Sequence, residues 1–294
     1  MMEAQSRTAG DVAEEVAARL AAAAVPDAAV DARWLIESFL KVDPWQTPDT
    51  PVVLTDALGE AVARRERREP LQLIVGSTAF LDLTITCRPG VFVPRPETEV
   101  LAELAIAVAL EREGAIVVEP CTGSGVIACA IAAHVPAVRV MATDVDPTAV
   151  ALARDNATKT LHTVGHVASV EVLRGDLFAP VDPALAGQVD VVVVNPPYLP
   201  ASDVGSWMPE VSDHDPRGAL IAGPDGNETV IRVMHEAHDW LRTDGVVMME
   251  VDTRRADDVV ALARSAGWSD VEIVDDLTRR PRFIVLRGSQ PRVA

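Results

Sequence analysis

After Pro89 the chain settles into one rhythm. Short apolar runs, IVVE (116–119), VRVMATD (138–144), SVEVLRG (169–175), DVVVVN (190–195) and GVVMMEV (245–251), alternate with the helical stretches TEVLAELAIAVALE, GVIACAIAAH, PTAVALARDNA and ETVIRVMHEAHDWLR. Strands so continuously apolar bury both faces, the condition of a mostly parallel sheet covered by helices on each side. The expected fold class is therefore α/β and Rossmann-like. The closing DVEIVDDLTRRPRFIVLRG holds two alternating strands around a basic turn and predicts an antiparallel edge.

Before Pro89 the pattern is different. DVAEEVAARLAAAA, DAAVDARWLIESFL and TDALGEAVARRERREP space their apolar residues by three and four, which predicts a small helical bundle with Asp11, Asp31 and Thr55 as N-caps. LQLIVGSTAFLDLTITC, Leu71 to Cys87, alternates around Gly-Ser and reads as a β-hairpin or two short strands. These readings divide the chain into a helical domain at 1–69, a hairpin linker at 70–90 and the α/β domain at 91–294, a partition that the 294-residue length accommodates.

Composition removes several function classes. The formal net charge of −18 repels a phosphate backbone, which argues against a nucleic-acid substrate, and attracts a cationic small molecule or a basic protein patch. Cys87, Cys121 and Cys129 have no paired metal-ligand spacing, which argues for reduced thiols and no metal. No uncharged run reaches membrane-spanning length, and the first residues lack the basic and apolar segments of a secretory signal; a cytoplasmic location is expected.

The segment VVEPCTGSGVIACAIA follows a strand and opens a helix, the setting in which glycines let a ligand approach the backbone. Gly123 and Gly125 would give that approach, and Asp144, nineteen residues on, ends the second strand where an acid accepts both ribose hydroxyls. Glu119 ends the first strand. Asp176 and Leu177 in RGDLF follow the third, where an acid and an apolar residue suit an adenine. Three acids around a loop without a phosphate-binding Lys-Ser point to a positively charged cofactor without phosphate, S-adenosylmethionine.

DVVVVNPPYLP, Asp190 to Pro200, runs four valines into Asn195, Pro196, Pro197 and the only tyrosine, Tyr198. Proline donates no backbone hydrogen bond, so the strand stops abruptly and leaves carbonyls without ladder partners. The Asn195 side-chain oxygen and the Pro196 carbonyl can take both hydrogens of a planar NH2 group while Tyr198 packs on its face. Fixing both N–H bonds aims a delocalised, weakly nucleophilic nitrogen at a methyl donor and stabilises the positive charge that develops.

With these residues in view, the chain resembles the HemK/PrmC family of glutamine methyltransferases. The likeness runs through EPLQLIVGSTAF, PGVFVPRPETEVL (89–101), CTGSG, NPPY, PEVSDHDPRGALIAGPDG and DLTRRPRF. It implies a class I methyltransferase domain in which Cys121, Thr122, Gly123, Gly125, Asp144, Leu177 and Asn195 contact S-adenosylmethionine. Asn195 to Tyr198 would bind a glutamine in the Gly-Gly-Gln loop of a peptide chain release factor, which the helical domain helps to recognise. Arg95 and Glu97 could border the active site, and Thr98 can cap the following helix. Two departures stand out: Cys121 replaces the first glycine usual in the loop, and MEVDTRR (249–255) replaces the short pattern usual after the fifth strand. The loop from Leu199 to Pro216, with Glu210, is a candidate lid. One alternative keeps the chemistry and changes the acceptor to the guanidino group of free arginine, drawn by Glu97, Glu210 and Asp213. A nucleic-acid amino group and a non-catalytic binding module are weaker alternatives.

Overall fold

A computed structural model describes residues 7–289, which divide into two compact units. Unit 1 comprises residues 7–77 together with Met208–His214. Its elements are β1 (Arg7–Thr8), α1 (Ala9–Ala22), α2 (Ala28–Leu40), β2 (Pro51–Val52), α3 (Asp56–Glu66) and α4 (Leu71–Val75), with a single turn at Pro209–Ser212. Val12, Val16 and Leu20 of α1, Leu35 and Ile36 of α2, and Leu58 and Val62 of α3 form its core at the expected helical spacing.

Local details depart from the sequence reading. Thr55 caps α3, accepting the Leu58 N–H at 3.2 Å. The α1 cap is Thr8 instead of Asp11, and Asp11 closes a capping box by accepting the Thr8 N–H at 3.2 Å. Asp31 caps nothing: it lies inside α2, buried, and accepts Arg65 Nε at 2.6 Å. Leu71–Val75 is a helical turn, not a strand, since Gly76, at φ +84°, closes it and the hairpin begins only at Ser77.

Glu210 is tied into unit 1 by two arginines. Arg65 Nη1 donates to its Oε1 at 2.9 Å, and Arg68 donates from Nε and Nη2 to the two oxygens at 2.7 Å each. Burial works to raise the Glu210 carboxyl, but the hydrogen bonds from Arg68 and Arg65 hold it below its ordinary value.

Unit 2 comprises Thr78–Trp207 and residues 215–289. The boundary falls after the first residue of β3 (Ser77–Phe80), which forms a hairpin with β4 (Leu83–Thr86) whose turn is at Leu81–Asp82 and not at Gly76–Ser77. There follow α5 (Thr98–Leu110), β5 (Ile116–Pro120), α6 (Val126–His134), β6 (Arg139–Asp144), α7 (Pro147–Thr163), β7 (Ser169–Arg174) and β8 (Val189–Val194). The unit 1 turn at Pro209–Ser212 is α8, and the chain closes through α9 (Glu228–Trp240), β9 (Leu241–Glu250), α10 (Ala256–Ser265), β10 (Trp268–Asp275) and β11 (Pro281–Ser289).

The seven-stranded sheet has the order β10-β11-β9-β8-β5-β6-β7, parallel from β9 to β7, with β11 and β10 antiparallel at the edge, as expected from the sequence. The valine run shows why such strands read as continuous: Val191 and Val193 face the layer that holds α5, α6 and α7, while Val192 and Val194 face the layer with α9 and α10. Among the described residues no helix is long and apolar enough to cross a membrane.

Candidate active site

The carboxyl ends of β5, β6 and β7 carry the three acids. Glu119 is 2% exposed, and its Oε2 accepts Thr122 Oγ1 at 2.7 Å and the Ala128 N–H at 3.0 Å, so it fastens the glycine turn to the first turn of α6. Burial pushes its pKa up to about 8, against those two hydrogen bonds. Asp144 accepts the Gly123 N–H on Oδ2 and the Asp146 N–H on Oδ1, each at 2.9 Å, and burial raises it too. Each of its oxygens keeps a lone pair for a further donor.

The turn itself is built from left-handed residues. Cys121 (φ +56°), Gly123 (φ +56°) and Gly125 (φ +78°) all occupy that region, which Cys121 enters despite its side chain. The two glycines differ in their surroundings. A Cβ on Gly125 would sit 3.0 Å from Ala153 Cβ on α7, whereas a Cβ on Gly123 would meet nothing within 4 Å. Gly125 thus permits helix packing, and Gly123 faces open space. Asp176 is paired with Arg232 through two bonds of 3.1 and 2.9 Å, beside buried Leu177, whose carbonyl accepts Thr143 Oγ1 at 2.6 Å.

These residues fit S-adenosylmethionine. An open glycine cradle is bordered by carboxylates that suit hydroxyl, amino and sulfonium groups, and the turn supplies no lysine for a phosphate.

At the end of β8, beside β5 in the sheet, Asn195 is half-buried and Pro196 buried. Among the described residues no backbone N–H donates to the Pro196 carbonyl. Asn195 Nδ2 donates to Thr98 Oγ1 at 3.2 Å, Thr98 Oγ1 to Glu250 Oε2 at 2.8 Å, and the Tyr198 hydroxyl to Glu250 Oε1 at 3.0 Å. Arg282 Nη1 lies 3.9 Å from the same carboxylate. Burial, with Glu250 beside it, pushes the Tyr198 phenol well above its ordinary value. Pro197 and Tyr198 are half-buried, and Tyr198 packs against the α9 and α10 side of the core.

Thr98 and Glu250 escape a sequence reading. Thr98 looks like a helix cap, yet it is the first residue of α5, after a Glu97 N-cap that makes no side-chain capping bond. Its hydroxyl serves Glu250 instead. A buried acid ending the apolar strand VVMME was the one available signal for Glu250.

The remaining substrate candidates have structural partners. Arg95 pairs with Asp215 and lies over Phe92, 5.0 Å from the ring centre. Glu97 is 3.7 Å from Arg280. Glu210 belongs to unit 1, where Arg65 and Arg68 take its oxygens.

Two family descriptions match the chain: "PrmC N-terminal domain" over residues 11–76 and "Methyltransferase small domain" over residues 82–207. The release factor glutamine methyltransferase of Mycolicibacterium smegmatis is 44% identical, across 92% of this chain and 94% of its own. The enzyme of that name from Streptomyces coelicolor is 39% identical, across 93% and 95%. The fold is also that of a methyltransferase from Pyrococcus furiosus, with a TM-score of 0.52 at 18% identity over 78% of this chain and 99% of that one.

Proposed function

Because the chain belongs to the release factor glutamine methyltransferase family, HemK/PrmC, we propose that its acceptor is the side-chain amide of the glutamine in the Gly-Gly-Gln loop of a peptide chain release factor. The observation that carries this reading is a juxtaposition. Asn195 and the Pro196 carbonyl end β8, the glycine turn ends the adjacent parallel strand β5, and both therefore open at the same end of the sheet.

The enzyme is an S-adenosylmethionine-dependent N-methyltransferase. The cofactor supplies an electrophilic methyl group on a sulfonium. Cys121 to Gly125 would receive it, Asp144 would accept its ribose hydroxyls, and Asp176 with Leu177 would hold its adenine. Asn195 Oδ1 and the Pro196 carbonyl accept the two amide N–H bonds, which turns the nitrogen toward the methyl group and keeps it from rotating. The same acceptors gain strength as positive charge develops on that nitrogen. Tyr198, held by Glu250, packs on the amide plane.

The relatives favour the amide over the guanidino group of arginine. That alternative leaned on Glu97, Glu210 and Asp213, and the first two carboxylates are drawn to Arg280 and to Arg65 with Arg68. A competition reaction with methyl-labelled S-adenosylmethionine, the release factor and free arginine tests the assignment. Label is expected in the protein, and it should vanish when the Gly-Gly-Gln glutamine is replaced. Label in arginine alone would overturn the reading.

A further inference from the structure

The acceptor reading requires Asn195 to show its oxygen, not its NH2, to the substrate. An asparagine amide is nearly symmetric in shape, so something must choose between its two orientations. Nothing in the NPPY segment itself makes that choice.

The hydrogen-bond chain behind Asn195 does. Glu250 is 1% exposed and burial raises its pKa, but Arg282 at 3.9 Å and the two hydroxyls that donate to its oxygens oppose that shift, an arrangement built for a carboxylate that only accepts. Thr98, 2% exposed, has a single hydroxyl hydrogen, and at 2.8 Å it is committed to Glu250 Oε2. Thr98 Oγ1 can then only accept from its remaining neighbour, which at 3.2 Å is Asn195 Nδ2. The opposite orientation would set the Asn195 oxygen against a Thr98 oxygen with no hydrogen to offer. We infer that Glu250 and Thr98 are positioning residues that lock the Asn195 amide with Oδ1 toward the substrate, making the site selective for an N–H donor over an acceptor of the same shape. Glutamine and glutamate are such a pair: the carboxylate would meet two oxygens where the amide meets two acceptors. Tyr198 is anchored to the other oxygen of Glu250, so one buried carboxylate sets both ends of the motif.

This inference rests on the proposed acceptor, and its test separates the two. Affinities of the full chain for release factor carrying Gln or Glu at the Gly-Gly-Gln position are measured by calorimetry, for wild type, Thr98→Val, Thr98→Ser and Glu250→Gln. Each protein is judged by the ratio of its two affinities, so any loss of folded fraction cancels. Wild type is expected to prefer Gln. Thr98→Val and Glu250→Gln, which free the Asn195 amide to turn, should lower that ratio at least tenfold, partly through tighter binding of the Glu form. Thr98→Ser keeps the hydroxyl and should hold the ratio within twofold of wild type. A wild-type preference that persists unchanged in Thr98→Val and Glu250→Gln overturns the relay alone. No preference in wild type overturns the acceptor reading, and the relay with it.

Discussion

Glu119 is a buried carboxyl whose two hydrogen-bond donors favour its charged form while burial favours the neutral one, and its protonation should be visible as stability. Its pKa stands at about 8 against an ordinary 4.5. The native state thus holds the proton more tightly than the unfolded chain; the stability it provides is complete below about pH 4.5 and is lost as pH rises toward about 8. Each pH unit inside that window is worth about 1.4 kcal/mol, so this one group removes about 3 kcal/mol between about pH 5 and about pH 7. Glu119→Gln keeps the shape and an oxygen for Thr122 and Ala128 while abolishing the titration. Urea unfolding of both proteins across this range, followed by circular dichroism, isolates the group as a difference. Asp144, Asp31 and Glu250 are also raised by burial, but they are common to both chains. The variant should gain on wild type with every pH step. A difference that stays flat across the range would refute the reasoning.

Further substitutions test other parts of the structure. Gly123→Ala should cost about 1–2 kcal/mol for its left-handed backbone yet weaken S-adenosylhomocysteine binding at least tenfold by calorimetry, because its methyl enters the open cradle. Gly125→Ala adds contact with Ala153 to the same backbone cost and should lower the melting temperature more than Gly123→Ala does. Arg65→Met leaves Asp31 and Glu210 buried without that partner, a loss of about 3–5 kcal/mol measurable by urea unfolding. Asp176→Ala breaks only a half-exposed pair with Arg232, so stability should change by less than about 1 kcal/mol while cofactor affinity falls at least tenfold.

What could be read in advance divides along physical lines. The strands and helices of unit 2 were legible because their signal is periodic and local: Val191 to Val194 announce a buried strand, and proline announces its end. The glycine turn and NPPY were legible because backbone requirements restrict residue type at fixed spacing. The Leu71–Val75 helix misled because a five-residue segment carries too short a period to tell helix from strand. Asp31 and Thr98 misled for another reason. Each is a good local cap, but each found a partner far along the chain, Arg65 across 34 residues and Glu250 across 152. Nothing local reports such pairs, and the orientation of Asn195 depends on one of them.

The distance between Arg65 and Glu210 also orders events in time. The arginine is synthesised 145 residues before the carboxylate it will hold. At ribosomal speeds of roughly 5–20 residues per second, about 7–30 s pass before that carboxylate exists. For that interval the first helices have Asp31 but no Glu210, and the helical unit waits for a segment encoded beyond β8. A ribosome stalled shortly after Tyr198 would therefore hold a helical domain still open to proteolysis, and one stalled after His214, once that segment has left the exit tunnel, would not.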